Sequence, residues 1–144
     1  MKVVVQRSKK SKVTIDGEVH GKIDKGLVLL VSFTEGDTTK EIDWMINKIL
    51  KLRIFDDENK VMNKSILDID GSILSISQFT LYGDCSNGNR PSYTKALKSE
   101  LSEPLYNEFN KKLSEKIHVE TGIFGSDMEV EIQNDGPVTI IIEK

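Results

Sequence analysis

Residues 26 to 33, GLVLLVSF, are apolar on both faces of any strand they form. A strand of that kind needs neighbours at both edges and cover above and below, so it reads as the central strand of a layered structure. The segments before it supply candidates. VVVQRS and KVTIDGEVHGKI alternate apolar with polar residues, and Asp16-Gly17 sits between alternating runs as a hairpin turn. With 144 residues the chain suffices for one core, burying roughly two thirds of its unfolded surface.

After Gly36 the period changes. Thr38 followed by Glu41 offers a capping box, and Ile42, Met45, Ile46, Ile49 and Leu50 form the stripe of an amphipathic helix over about 38 to 52. The stretch DIDGSILSISQFTLYGD returns to strand, with residues 73 to 82 alternating so that Gln78 and Thr80 share one face and Ser77 and Phe79 the other. A polar loop, DCSNGNRPS, leads to Pro91, which is expected to open a short helical stretch through Tyr93, Ala96 and Leu97. Pro104, read as a first helical residue, begins a second helix in which Leu105, Phe109, Leu113 and Ile117 recur every four residues. MEVEIQ and VTIII are expected to pair as a final hairpin across Asn134 to Pro137. Strands thus bracket helices in a single α+β domain spanning residues 1–144, mostly antiparallel, with no internal repeat or linker.

Composition narrows the function. Cys85 is the one cysteine, which rules out an internal disulfide. No run approaches a membrane span and the N-terminal MKVVVQ lacks the apolar core of a signal peptide, so the expected location is cytoplasmic. A net charge of −3 argues against a large nucleic-acid footprint, although Arg7, Lys9, Lys10 and Lys12, then Arg90, Lys95 and Lys98, then Lys111, Lys112 and Lys116 could each contact phosphates. His20 and His118 lie in unrelated segments without ligand-spaced partners, so no metal site is expected. Neither histidine sits in a motif that would activate a serine or cysteine nucleophile. No glycine-rich phosphate loop is present. What remains is SQFTLYGD, residues 77 to 84, where hydroxyl and amide groups crowd the end of a strand before a Gly-Asp loop.

Five ordered stretches then resemble one family: MKVVVQR, KLRIFDDENKVMNKSILDIDG, SQFTLYGD, NRPSY and TGIFGSDMEVEIQNDGPVT are similar to those of the D-aminoacyl-tRNA deacylases, which hydrolyse D-amino acids wrongly esterified to tRNA. The resemblance runs through almost the whole chain. It implies a homodimer of barrel-like α+β subunits acting on aminoacyl-tRNA, with neither metal nor organic cofactor, no membrane and no DNA partner. It implies that Ser77, Gln78, Phe79 and Thr80 line the catalytic pocket of one subunit while Gly136 and Pro137 of the other reach into it, joined by a cis peptide bond and braced by Arg7. Their carbonyl oxygens would then occupy the space an L side chain requires, and glycine, having no side chain, would escape the filter. Thr80 as nucleophile and the terminal ribose 2′-OH as the group that orients water both remain open, the second being preferred because no base is visible beside Thr80. The chain departs from the family in carrying Asn87 before Gly88, where a lysine is common, and in VSFTEGD after the central strand. A non-catalytic dimeric tRNA-binding module and a general esterase are the rival readings.

Overall fold

The computed structural model describes residues 1–144. In chain order it contains β1 (Lys2–Ile15), β2 (Glu18–Ile23), β3 (Gly26–Ser32), α1 (Thr39–Leu50), β4 (Phe55–Asp56), β5 (Met62–Lys64), β6 (Ser72–Ser77), a 3-10 turn (Phe79–Tyr82), α2 (Ser99–Ser114), β7 (Val119–Thr121) and β8 (Glu129–Glu143). The main sheet runs β2-β1-β3-β6-β7, with β8 also paired to β1, and β4 and β5 form a small separate hairpin. Pairings of β1 with β2, β3 and β8 are antiparallel, whereas β3-β6 and β6-β7 are parallel. Because β2 also packs against β6 and β7, the sheet curls into a nearly closed barrel. GLVLLVSF is central, as its two apolar faces require.

Two cores lie on the two sides of that sheet. Val3, Val5, Leu27, Leu29 and Ile73 meet the helices through Ile42, Met45, Ile49, Phe109 and Leu113. Inside the curl, Val13, Ile23, Val28, Leu74 and Ile76 pack together. β1 serves both, since a register shift between Ser8 and Ser11 sends Val13 to the side opposite Val3 and Val5.

α1 forms where its stripe and cap place it. The Thr38 hydroxyl accepts from the Lys40 amide at 3.2 Å, and the Glu41 carboxylate accepts from the Thr38 hydroxyl at 2.7 Å and the Thr38 amide at 2.9 Å, which in that order hold the Glu41 pKa below its ordinary value.

Four sequence expectations change. β6 stops at Ser77: the Gln78 amide still donates to the Val31 carbonyl at 2.8 Å, but Leu81 to Gln78 and Gly83 to Thr80 bonds then wind the chain into the 3-10 turn, so the strand alternation expected through residue 82 is not realised. Residues 91 to 97 are not helical, because Asp84 and Ser92 exchange main-chain hydrogen bonds and the Leu97 amide is tied to the Phe33 carbonyl at 2.9 Å. Pro104 lies inside α2 rather than at its first position, where it removes only the bond to the Glu100 carbonyl near the solvated start of the helix. The C-terminal segment is one long strand, not a hairpin, and both of its halves pair with β1.

Thr38→Ala removes the hydroxyl half of the capping box while leaving the amide of residue 38 to the Glu41 carboxylate, and the expected cost is about 1 kcal/mol of stability, read as a lower urea midpoint at unchanged slope.

Candidate active site

The parallel strands β3 and β6 end side by side, and ligands of such sheets gather outside the carboxyl ends of the strands. Here β6 yields to the 3-10 turn, α2 begins on one flank, and residues 124 to 128 curve back on the other. That last loop folds tightly because Gly122 has no side chain: an added Cβ would stand 2.3 Å from the Met128 sulfur. Together these segments enclose a cavity of about 650 Å³, within the usual range for small-molecule sites.

Ser77, Gln78 and Phe79 line this cavity, as do Ser32, Lys98 and Asp127. Thr80 does not line it. Its hydroxyl instead accepts from the Gln78 side-chain amide at the rim. The Phe79 and Thr80 amides, at the start of the 3-10 turn, have no acceptor in the chain, since the turn's own bonds begin at the Leu81 amide. Two consecutive unpaired N–H groups beside a cavity are suited to a developing oxyanion. Behind them Tyr106 donates to the Ser75 carbonyl at 2.8 Å, and burial pushes its phenol pKa up, so it stays protonated. The buried Ser32 hydroxyl has no partner in the chain.

No histidine or cysteine lines the cavity. His118 pairs with Glu120 at 2.9 Å, and Cys85 is exposed in the hairpin arm that follows the 3-10 turn. No group of three or more His, Cys, Asp or Glu side chains converges to hold a metal ion. No carboxylate or imidazole is hydrogen-bonded to Thr80, and Asp127 is the one carboxylate that lines the cavity.

Arg7, Gly136 and Pro137 lie apart from their own chain's cavity. Between the Gln6↔Thr139 and Ser8↔Asn134 pairs, β1 has Arg7 alone while β8 has Asp135, Gly136, Pro137 and Val138. The excess is expelled from the ladder as a bulge, in which the Gly136-Pro137 bond is cis and both residues are exposed. Gly136 has φ +122, and a Cβ there would meet Val138 Cγ2 at 2.8 Å and Arg7 Nη2 at 3.0 Å, so glycine is required.

Arg7, only 8% exposed, holds this bulge from beneath. Its Nε donates to the Asp135 carbonyl at 3.1 Å and its Nη1 to the Ile54 carbonyl at 2.8 Å, with the Asp56 and Asp135 carboxylates each at 3.4 Å. The Val138 amide is bound by the Asn134 side chain at 3.2 Å.

The sequence marks Lys98 only as one of several basic residues able to contact phosphates, and it assigns no cavity wall to Leu97 to Ser99 or to Phe124 to Met128. The Gly-flanked TGIFGSD directly after a short strand was the available signal for the second wall. Nothing local marks the first, because a helix entered without a side-chain cap leaves no signature at Lys98.

Fold and site thus define an α+β scaffold with a donor-lined cavity at the ends of two parallel strands. The comparisons agree. A family profile described as D-Tyr-tRNA(Tyr) deacylase matches residues 4–143. D-aminoacyl-tRNA deacylases of Brevibacillus brevis and Clostridium acetobutylicum are 56% and 52% identical over 144 residues, covering 99% of this chain and 99% and 97% of theirs. A solved structure of c-Myc DNA Unwinding Element Binding Protein superposes with TM-score 0.94 at 42% identity, covering 100% of this chain and 99% of that one. A probable eukaryotic D-amino acid tRNA deacylase, 15% identical and covering 98% of this chain and 97% of its own, shares the fold at TM-score 0.83. The chain belongs to the D-Tyr-tRNA(Tyr) deacylase family, whose members are ester-hydrolysing enzymes.

Removing the guanidinium leaves the buried Ile54 carbonyl without its donor. Arg7→Ala is therefore expected to cost about 2 to 3 kcal/mol, from the lost donor and lost packing, and to speed amide exchange at Val138 in hydrogen-exchange measurements.

Proposed function

We propose that this chain, as one deacylase domain over residues 1–144, hydrolyses the ester of D-aminoacyl-tRNA, and of glycyl-tRNA formed in error, in the cytoplasm. The observation that carries this reading is the pair of unpaired amides at Phe79 and Thr80 beside a cavity that holds no triad. An aminoacyl ester is already activated, so donors and a placed water suffice. Water attacks the ester carbon, and the resulting oxyanion is received by the two N–H groups. The bond to the ribose 3′ oxygen then breaks, that oxygen takes the proton released by the water, and D-amino acid and tRNA leave. The neighbouring 2′-OH orients the water, and Ser77 and Gln78 shape the wall.

Selectivity is assigned to the bulge of a second subunit. Gly136 and Pro137 are exposed and stand on a buried guanidinium, an arrangement suited to insertion into a neighbour's cavity. Beside the bulge the sheet presents a continuous apolar row, Ile141 on Val4 and Val4 on Leu30, with Ile141 67% exposed, as a face covered by a second copy would. Braced main chain excludes an L side chain by clash, and glycine passes. Family membership supports the reaction, and the resemblance supports the cross-subunit arrangement. No cofactor is required.

Matched D- and L-tyrosyl-tRNA test the reading through the rate of ester loss. The D ester should be cleaved and the L ester spared; equal rates would refute the filter, and loss of neither would favour a binding module. Thr80→Ala should retain within about tenfold of wild-type kcat, whereas a substrate ending in 2′-deoxyadenosine should lose about 100-fold, the lower range of a positioned proton-transfer group. The reverse pattern would make Thr80 the nucleophile.

A further inference from the structure

Phe79 and Tyr93 form an edge-to-face pair, their centroids 5.1 Å apart and their planes at 71°. Such pairs ordinarily belong to cores, yet these rings are 57% and 40% exposed. They are nonetheless held in place. Tyr93 lies against the backbone of Gly83, where an added Cβ would stand 3.1 Å from its Cε1, and the Asp84–Ser92 main-chain exchange fixes the segment leading into it. Both residues line the cavity.

The cavity carries both signs of charge, with Asp127 on the wall formed by residues 124 to 128, but the cations near the pair are uncommitted. Lys98 lines the same cavity, and Arg90 lies on the hairpin arm that ends at Ser92. Neither has a carboxylate partner, whereas Lys95 is engaged by Asp84 at 3.1 Å. A rigid exposed ring beside uncommitted cations matches a ligand that is flat and anionic at once. A single-stranded nucleic-acid end has that chemistry, because its bases stack on aromatic faces while its phosphates meet the cations.

We infer that the Phe79–Tyr93 pair is a stacking platform for the nucleotide preceding the terminal adenosine of the tRNA, with its phosphate directed to Lys98 and Arg90. The inference rests on the deacylase reading and extends it. If the ester is received by the Phe79 and Thr80 amides, the amino acid and terminal adenosine take up the cavity, and the strand must leave across its aromatic rim. Stacking is indifferent to base identity, so the platform serves many tRNAs alike.

The test compares two substrates: D-tyrosyl-tRNA, which carries the preceding nucleotide, and D-tyrosyl-adenosine, which does not. For each enzyme the ratio of kcat/KM on the first to that on the second is read, and cleavage of the adenosine ester reports folding. Tyr93→Ala should lower this ratio about 5- to 160-fold, the range set by loss of one base–aromatic stack. Tyr93→Phe should restore it. A ratio unchanged in Tyr93→Ala, whether both activities fall together or neither falls, overturns the inference. A wild-type protein that cleaves neither ester would instead defeat the deacylase reading.

Discussion

The guanidinium of Arg7 is the tie on which the rest depends. One buried side chain on β1 reaches the Asp135 carbonyl of β8 and the Ile54 carbonyl ahead of β4, joining segments that the chain order keeps far apart. Five donors in a planar fork let a single residue do this, and a lysine could not reproduce the geometry. The ion pairs with Asp56 and Asp135 add little by themselves, since both carboxylates are partly solvated. The carbonyl bonds matter more, because they keep Asp135 to Val138 outside the ladder while the strand resumes pairing on either side.

The same sheet forms the cavity by a different route. Parallel pairing brings the ends of β3 and β6 together, and the early stop of β6 turns the next residues outward. The cavity and the unpaired Phe79 and Thr80 amides are both products of that stop. Had the strand continued, those amides would have been used in pairing. The proposed catalysis by main-chain donors and the proposed discrimination by main-chain carbonyls rest on one physical basis: backbone groups withheld from a sheet that would otherwise consume them.

What the sequence discloses follows the range of the interactions. α1 is legible because its cap and stripe are local, and GLVLLVSF because burial on both faces leaves little choice. The bulge is not. A Gly-Pro pair between two apolar runs is the ordinary mark of a hairpin, and the feature that defeats that reading is Arg7, 128 positions before the Asp135 it holds. The SQFT stretch can be located as polar groups at a strand end, but its 3-10 winding depends on the Leu81 and Gly83 amides finding acceptors within the turn rather than across a ladder. Pro104 misleads for a related reason: at the solvated start of α2 a missing N–H costs too little to set the boundary.

The central claim is that a braced bulge of one subunit screens the cavity of the other. It is tested most directly with a heterodimer purified through two tags, one subunit carrying Ala96→Trp to plug its cavity and the other Gly136→Ala to displace its bulge. If the halves come from opposite subunits, the open cavity faces an intact bulge, and the heterodimer cleaves D-tyrosyl-tRNA while sparing the L ester. If both halves belong to the same chain, the open cavity faces the displaced bulge. Cleavage of the L ester by the heterodimer, at a rate comparable to that of the Gly136→Ala homodimer, would contradict the account.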